Sequence, residues 1–207
     1  TNIWNPIVYK YCENEKKFKP ILHNFGLILT IVIALGLSAC VLLRRWLILL
    51  LGSNYYTAYI IAPAILFGAL FNVSATIYGS GINIKKRTIH YIISPLIQMI
   101  VSIALCYFTI PKMGLIGVGL STLISITLSR LYRIIVGIKL YDTGVKEYRS
   151  MIIYCICVLV SILSLFYTSL ISDFVISVLL LFITIAISIK DIKPLFGDVL
   201  TLIKEKK

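Results

Sequence analysis

The sequence predicts an all-α membrane protein with about six transmembrane helices. Three observations carry this expectation: the chain is too apolar for water, its apolar residues fall into six long runs, and its cations gather on one side of those runs. Of 207 residues, 59% are hydrophobic and 14% charged, against roughly 45–50% and 25% in an ordinary soluble domain. Mean hydropathy is +0.99.

A helix needs about 20 apolar residues to cross about 30 Å of hydrocarbon at 1.5 Å per residue. The expected spans are 21–43, 57–79, 89–110, 114–137, 151–167 and 174–189. Residues 1–22 read as a cytoplasmic segment and the end of a preceding span. Residues 23–138 form a four-helix core, 139–190 an additional helical pair, and 191–207 a cytoplasmic amphipathic tail. The chain opens at Thr1 without an initiator Met or an apolar signal core, so the carboxy-terminal part of a longer protein is expected.

The cations set the orientation. Lys10, Lys16, Lys17 and Lys19 precede the first span, and Lys85, Lys86 and Arg87 follow the second. Arg130 and Arg133 near the end of the fourth span join Lys139, Lys146 and Arg149 before the fifth, and Lys190, Lys193, Lys204, Lys206 and Lys207 end the chain. Only Arg44, Arg45 and Lys112 fall on the other side. The rich side belongs in the cytoplasm. The net charge of +12 is thus a topology signal, and no nucleic-acid partner is expected. Trp46, Tyr55, Tyr56 and Tyr59 cluster where an interfacial aromatic belt would sit.

Small and polar stripes mark the faces that pack in lipid. Gly114, Gly117, Ser121 and Ser125 share one face of the fourth span. Gly68, Asn72, Ala75 and Gly79 line the second, Ser94, Gln98 and Ser102 the third, and Thr30, Ala34 and Ser38 the first. These stripes serve helix packing, or some line a wet cavity; Asn72 and Gln98 bear on the second reading, since a mid-membrane amide needs a partner or water. The fifth and sixth spans lack such stripes and are expected at the periphery.

Arg130 and Arg133 are embedded near the inner end of the fourth span, and no carboxylate is expected inside the membrane. Both arginines snorkel to the interface, or they hold an anionic group, for which the guanidinium fork is suited. The Lys85-Lys86-Arg87 run is a topology anchor or a second anion contact. Five cysteines are scattered without a C-x-x-C pair, and no metal site or cofactor is expected. No nucleophile–base pair, phosphate loop or carboxylate pair occurs, so no enzyme is expected.

Four motifs occur in order: Gly52 with Tyr55-Tyr56-x-Ala58; Gly81-Ile82-Asn83-Ile84-Lys85-Lys86-Arg87-Thr88; Ile110-Pro111-Lys112-Met113-Gly114-Leu115-Ile116-Gly117-Val118-Gly119; and Ser121-Thr122-Leu123-Ile124-Ser125. Together, with Trp4-x-Pro6 before them, they resemble the carboxy-terminal half of the polysaccharide transporter (Wzx-type) flippases. These belong to the MOP superfamily, with the MATE exporters and the lipid II flippase. The resemblance covers residues 1–140. It implies the second lobe of a two-lobed MATE-like fold plus a terminal helical pair, in the cell inner membrane. It further implies flipping of a polyprenyl-diphosphate-linked oligosaccharide to the outer leaflet, for capsule, O-antigen or exopolysaccharide assembly. The implied partners are that lipid-linked oligosaccharide, membrane lipids and the missing first lobe. Arg130, Arg133, Lys85, Lys86 and Arg87 would contact anionic groups, and Asn72 and Gln98 sugar hydroxyls. A MATE-type small-molecule exporter and a subunit of a glycan polymerase or acyltransferase are the alternative readings.

Overall fold

Backbone amides in runs this apolar find few partners except each other, and helices satisfy them locally. The computed structural model describes residues 15–49, 53–141 and 148–186. Trp4-x-Pro6 and the tail at 191–207 lie outside them. Every apolar run among the described residues is helical, and none forms a strand. In chain order these are α1 (Glu15–Leu49), a 3-10 helix (Ser53–Ile60), α2 (Ala62–Tyr78) and α3 (Ser80–Ile84). They are followed by α4 (Ile89–Met113), α5 (Leu115–Leu140), α6 (Tyr148–Phe166) and α7 (Leu170–Ala186).

Among the described residues, three helical stretches are long and apolar enough to cross a membrane: Gly26–Leu47, α4 and α5. The other three apolar helices are shorter. The 17 residues of α2 rise only about 25 Å. The second span, expected from residue 57, begins instead as a 3-10 helix, and α geometry starts only at Ala62. Pro63 explains the switch, because a proline in the first helical turn supplies helical φ where no amide partner is needed. Residues 80–88 were expected as a plain connection but contain the single turn α3. Residues 111–113, likewise expected as a connection, continue α4 through Pro111.

The α4–α5 turn is made by Gly114 alone, at φ 54° and ψ −126°, a conformation closed to residues with a Cβ. A Cβ at Gly114 would meet nothing. Gly114 is therefore a turn residue, and its expected role in helix packing is corrected. Gly68, Gly79, Gly117, Ser121 and Ser125 are all buried, as a packing stripe requires. A Cβ at Gly68 would stand 2.6 Å from the Ile126 side chain, and one at Gly117 would stand 2.6 Å from the Thr109 carbonyl. α5 also crosses closely over the end of α2, where a Cβ on Gly137 would lie 2.5 Å from the Gly79 Cα.

α1, α2, α5 and α6 share one core built on Ile33, Leu37, Phe67, Phe71, Leu123, Ile134 and Tyr154. α6 is not peripheral, contrary to expectation. Its Tyr154 hydroxyl lies 2.7 Å from Thr30 Oγ1 of α1 and donates to Ser74 Oγ of α2 at 2.7 Å. The Tyr154 ring also packs against Phe71 at 5.0 Å. The fifth span was expected to lack a small-residue stripe, but Cys157, Ser161 and Ser164 are fully buried at i, i+4, i+7 on the face that carries Tyr154. By contrast, α4 lies along α5 and buries only Ser94.

At the far end of α1, Arg44 is fully buried. Its Nε donates to Asp173 Oδ2 at 2.9 Å and its Nη2 to Asp173 Oδ1, a bidentate pair. The remaining donors reach the last carbonyls of α6, with Nη1 to Ser164 O at 2.6 Å and Nη2 to Tyr167 O at 3.0 Å. Arg45 donates to the Thr168 carbonyl beside them. Asp173, expected at an outer mouth with no carboxylate buried, is itself buried.

Removing one member leaves the other charged and unpaired in an apolar site. Arg44→Met or Asp173→Leu alone is expected to destabilise the fold by about 3–5 kcal/mol. The Arg44→Met/Asp173→Leu double variant is expected to recover most of that loss. Unfolding midpoints in detergent check this, and a double variant as unstable as the sum of the singles would contradict it.

Candidate functional site

The opposite end of the bundle carries the embedded cations. On α5, serines on the face toward α4 tie the two helices. Ser94 and Ser129 hydroxyls lie 2.8 Å apart, and each also donates to the other's carbonyl, at 3.1 and 2.8 Å. One turn further, His90 Nδ1 lies 2.8 Å from the Tyr132 hydroxyl. This zipper fixes the register of α4 against α5 and so places Tyr91 beside Arg133.

Arg133 is buried. Its Nη1 donates to Asn72 Oδ1 at 3.2 Å and its Nη2 to Thr76 Oγ1 at 3.5 Å. The guanidinium carbon stands 4.7 Å from the centre of the Tyr91 ring, within range of a cation–π contact. Its Nε is buried without a hydrogen-bond partner. Three helices therefore meet one cation, and every group they offer is neutral. Asp173 is the one carboxylate among the described side chains, and Arg44 holds it at the other end. Among the described residues, the Arg133 charge has no anion of its own.

Arg130 lies three residues earlier on α5 and is half-buried, and its Nε is also buried without a partner. Asn72 is exposed apart from the contact with Arg133, and Gln98 is half-buried with no hydrogen bond among the described residues. The structure thus brings Arg133 and Asn72 together and leaves Gln98 outside the cluster. Lys85, Lys86 and Arg87 are exposed on the α3–α4 turn, and none bonds to Arg133 or Asn72.

Two members were missed in the sequence, Thr76 and Tyr91. Thr76 stands four residues after Asn72, so helical spacing puts it on the same face. Tyr91 carried no such signal, because its position depends on how α4 is registered on α5. No protein-family model matches the chain, and no curated protein or solved structure matches it.

The neighbours of Arg133 do not depend on it. Thr76 Oγ1 already donates to the Asn72 carbonyl at 3.0 Å, and Asn72 is exposed. Arg133→Met should therefore change stability by less than about 1 kcal/mol, since no buried charge is stranded. Parallel melts of Arg133→Met and Arg44→Met test the contrast. A loss at Arg133 as large as that at Arg44 would show that the Arg133 cluster holds the fold together.

Proposed function

We propose that these helices form a lobe of a multi-pass transporter of the cell inner membrane, in which Arg133 meets the anionic group of a lipid-linked substrate. The single observation that supports this most is a buried guanidinium with neutral partners only. A buried charge without a counter-ion is costly, and a substrate anion that arrives and leaves would supply the missing partner. Together with the motif resemblance, this favours flipping of a polyprenyl-diphosphate-linked oligosaccharide from the inner to the outer leaflet. The guanidinium fork pairs with phosphate oxygens in two-point fashion. Arg130 would follow the same anion along α5, and Asn72 and Gln98 would face sugar hydroxyls.

The orientation belongs to the same proposal: the cation-rich ends face the cytoplasm, and the Arg44–Asp173 end faces outward. Transport sites of this kind lie between two lobes that rock about the substrate, so the proposed partner is a first lobe of similar helices. A MATE-type exporter of cations would call for a carboxylate beside the cavity. Here the described side chain in that position is an arginine.

One substitution separates a binding role from a structural one. Asn72→Asp places a carboxylate where Asn72 Oδ1 now accepts from Arg133. It should hold or raise stability, while neutralising the cation that the substrate needs. In full-length protein, Asn72→Asp and Arg133→Ala are expected to lower surface polysaccharide at least tenfold with normal membrane abundance. A loss of one charge-assisted two-point contact, about 1.5–3 kcal/mol, is enough for that. Unchanged glycan in both variants would remove Arg133 from the mechanism.

A further inference from the structure

The α3–α4 turn concentrates charge that the Arg133 cluster does not use. Lys85, Lys86 and Arg87 are exposed, and so is Lys139 near the end of α5. None has an ion pair or side-chain hydrogen bond among the described residues. The two groups share one end of the bundle because Gly81 packs on Gly137, where a Cβ on Gly81 would strike the Gly137 carbonyl.

The N–H groups of the three cationic residues are already committed. Lys85 N–H donates to Gly81 O, Lys86 N–H to Asn83 O and Arg87 N–H to Ile82 O, each at 3.0 Å. An anion beside these three residues meets their side chains and not their backbone N–H groups. Lys86 also adopts φ 54°, a left-handed conformation uncommon for a residue with a Cβ. Directly beyond the turn, Ile89, Ile92 and Leu96 are exposed on α4. Their i, i+3, i+7 spacing makes one apolar ridge that starts at the cations.

Cations above an apolar ridge match the two ends of a phospholipid, phosphate and acyl chain. We propose that this turn is a binding site for an anionic phospholipid. Lys85, Lys86 and Arg87 hold its phosphate, Lys139 adds to the field, and Ile89, Ile92 and Leu96 carry a chain. Recognition is chiefly by charge, since the three cationic side chains carry it and the N–H groups of Lys85, Lys86 and Arg87 are already bonded within the turn. The site is separate from the Arg133 cluster, and it rests on the reading of these helices as membrane-spanning.

The test compares full-length protein in phosphatidylcholine nanodiscs with and without phosphatidylglycerol. Phosphatidylglycerol is expected to raise the unfolding midpoint by about 2–4 °C, and high salt is expected to remove the rise. Lys85→Gln/Lys86→Gln/Arg87→Gln should lose it, while Lys85→Arg/Lys86→Arg and Lys112→Gln should keep it. A full rise in the triple variant, or its loss in the arginine variant, overturns the proposal. Entry into phosphatidylcholine discs with no response to phosphatidylglycerol overturns this site alone. Failure to enter any disc overturns the membrane reading and this site with it.

Discussion

A charge inside an apolar bundle has to be paired, hydrated or used, and that constraint organises this molecule. Arg44 is paired. Its five-donor fork is divided between the Asp173 carboxylate and the last carbonyls of α6, which joins the end of α1 to the α6–α7 turn. Helix carbonyls at a C-terminus carry partial negative charge and lack intrahelical donors, so one side chain satisfies both the carboxylate and the helix end. Arg133 is buried to a similar degree, and its partners among the described residues are all neutral. The two arginines differ in company, and that difference separates a structural residue from a candidate binding residue.

The helices around them divide accordingly. α1, α2, α5 and α6 enclose the Phe67, Phe71 and Tyr154 core, which the Tyr154 hydroxyl ties across three helices. α4 is held to α5 by the Ser94–Ser129 pair, the His90–Tyr132 contact and Thr109, whose Oγ1 lies 2.8 Å from the Ser121 hydroxyl. Its other faces stay open, with Ile100, Ile103 and Tyr107 among the most exposed large residues. The Arg133 cluster sits where the closed core meets this open helix. Its guanidinium is anchored on α5, hydrogen-bonded to α2 and covered by a ring from α4.

Much of this was legible in the sequence. Hydrophobic run length located the six apolar helices of the described residues, and small-residue spacing picked out Gly68, Gly117, Ser121 and Ser125, all buried, but not Ser74, Gly119, Ser129 or Gly137. What stayed hidden depended on contacts between distant residues. Asp173 and Arg44 are 129 residues apart, although a lone acid expected on the same side as only three cations was an available clue. Gly114 looked like one more packing glycine, because spacing cannot distinguish a missing Cβ needed for a turn from one needed for contact. α6 looked peripheral, although Cys157, Ser161 and Ser164 stand at helical spacing and are fully buried beside Tyr154. Among the site residues, Asn72 and Arg133 were recognised separately, but only tertiary packing makes them a pair. Gln98 had the same signal as Asn72 and is not in the cluster.

The whole account depends on hydrocarbon as the solvent around these helices, with the two ends of the α4–α5 hairpin in different compartments. The direct measurement is labelling of single cysteines, placed at Arg87 and at Met113 in a cysteine-free background, by a membrane-impermeant thiol reagent in intact cells. The account predicts reaction at 113 from outside, and at 87 only after the cells are opened. Equal labelling of both positions in intact cells would contradict it.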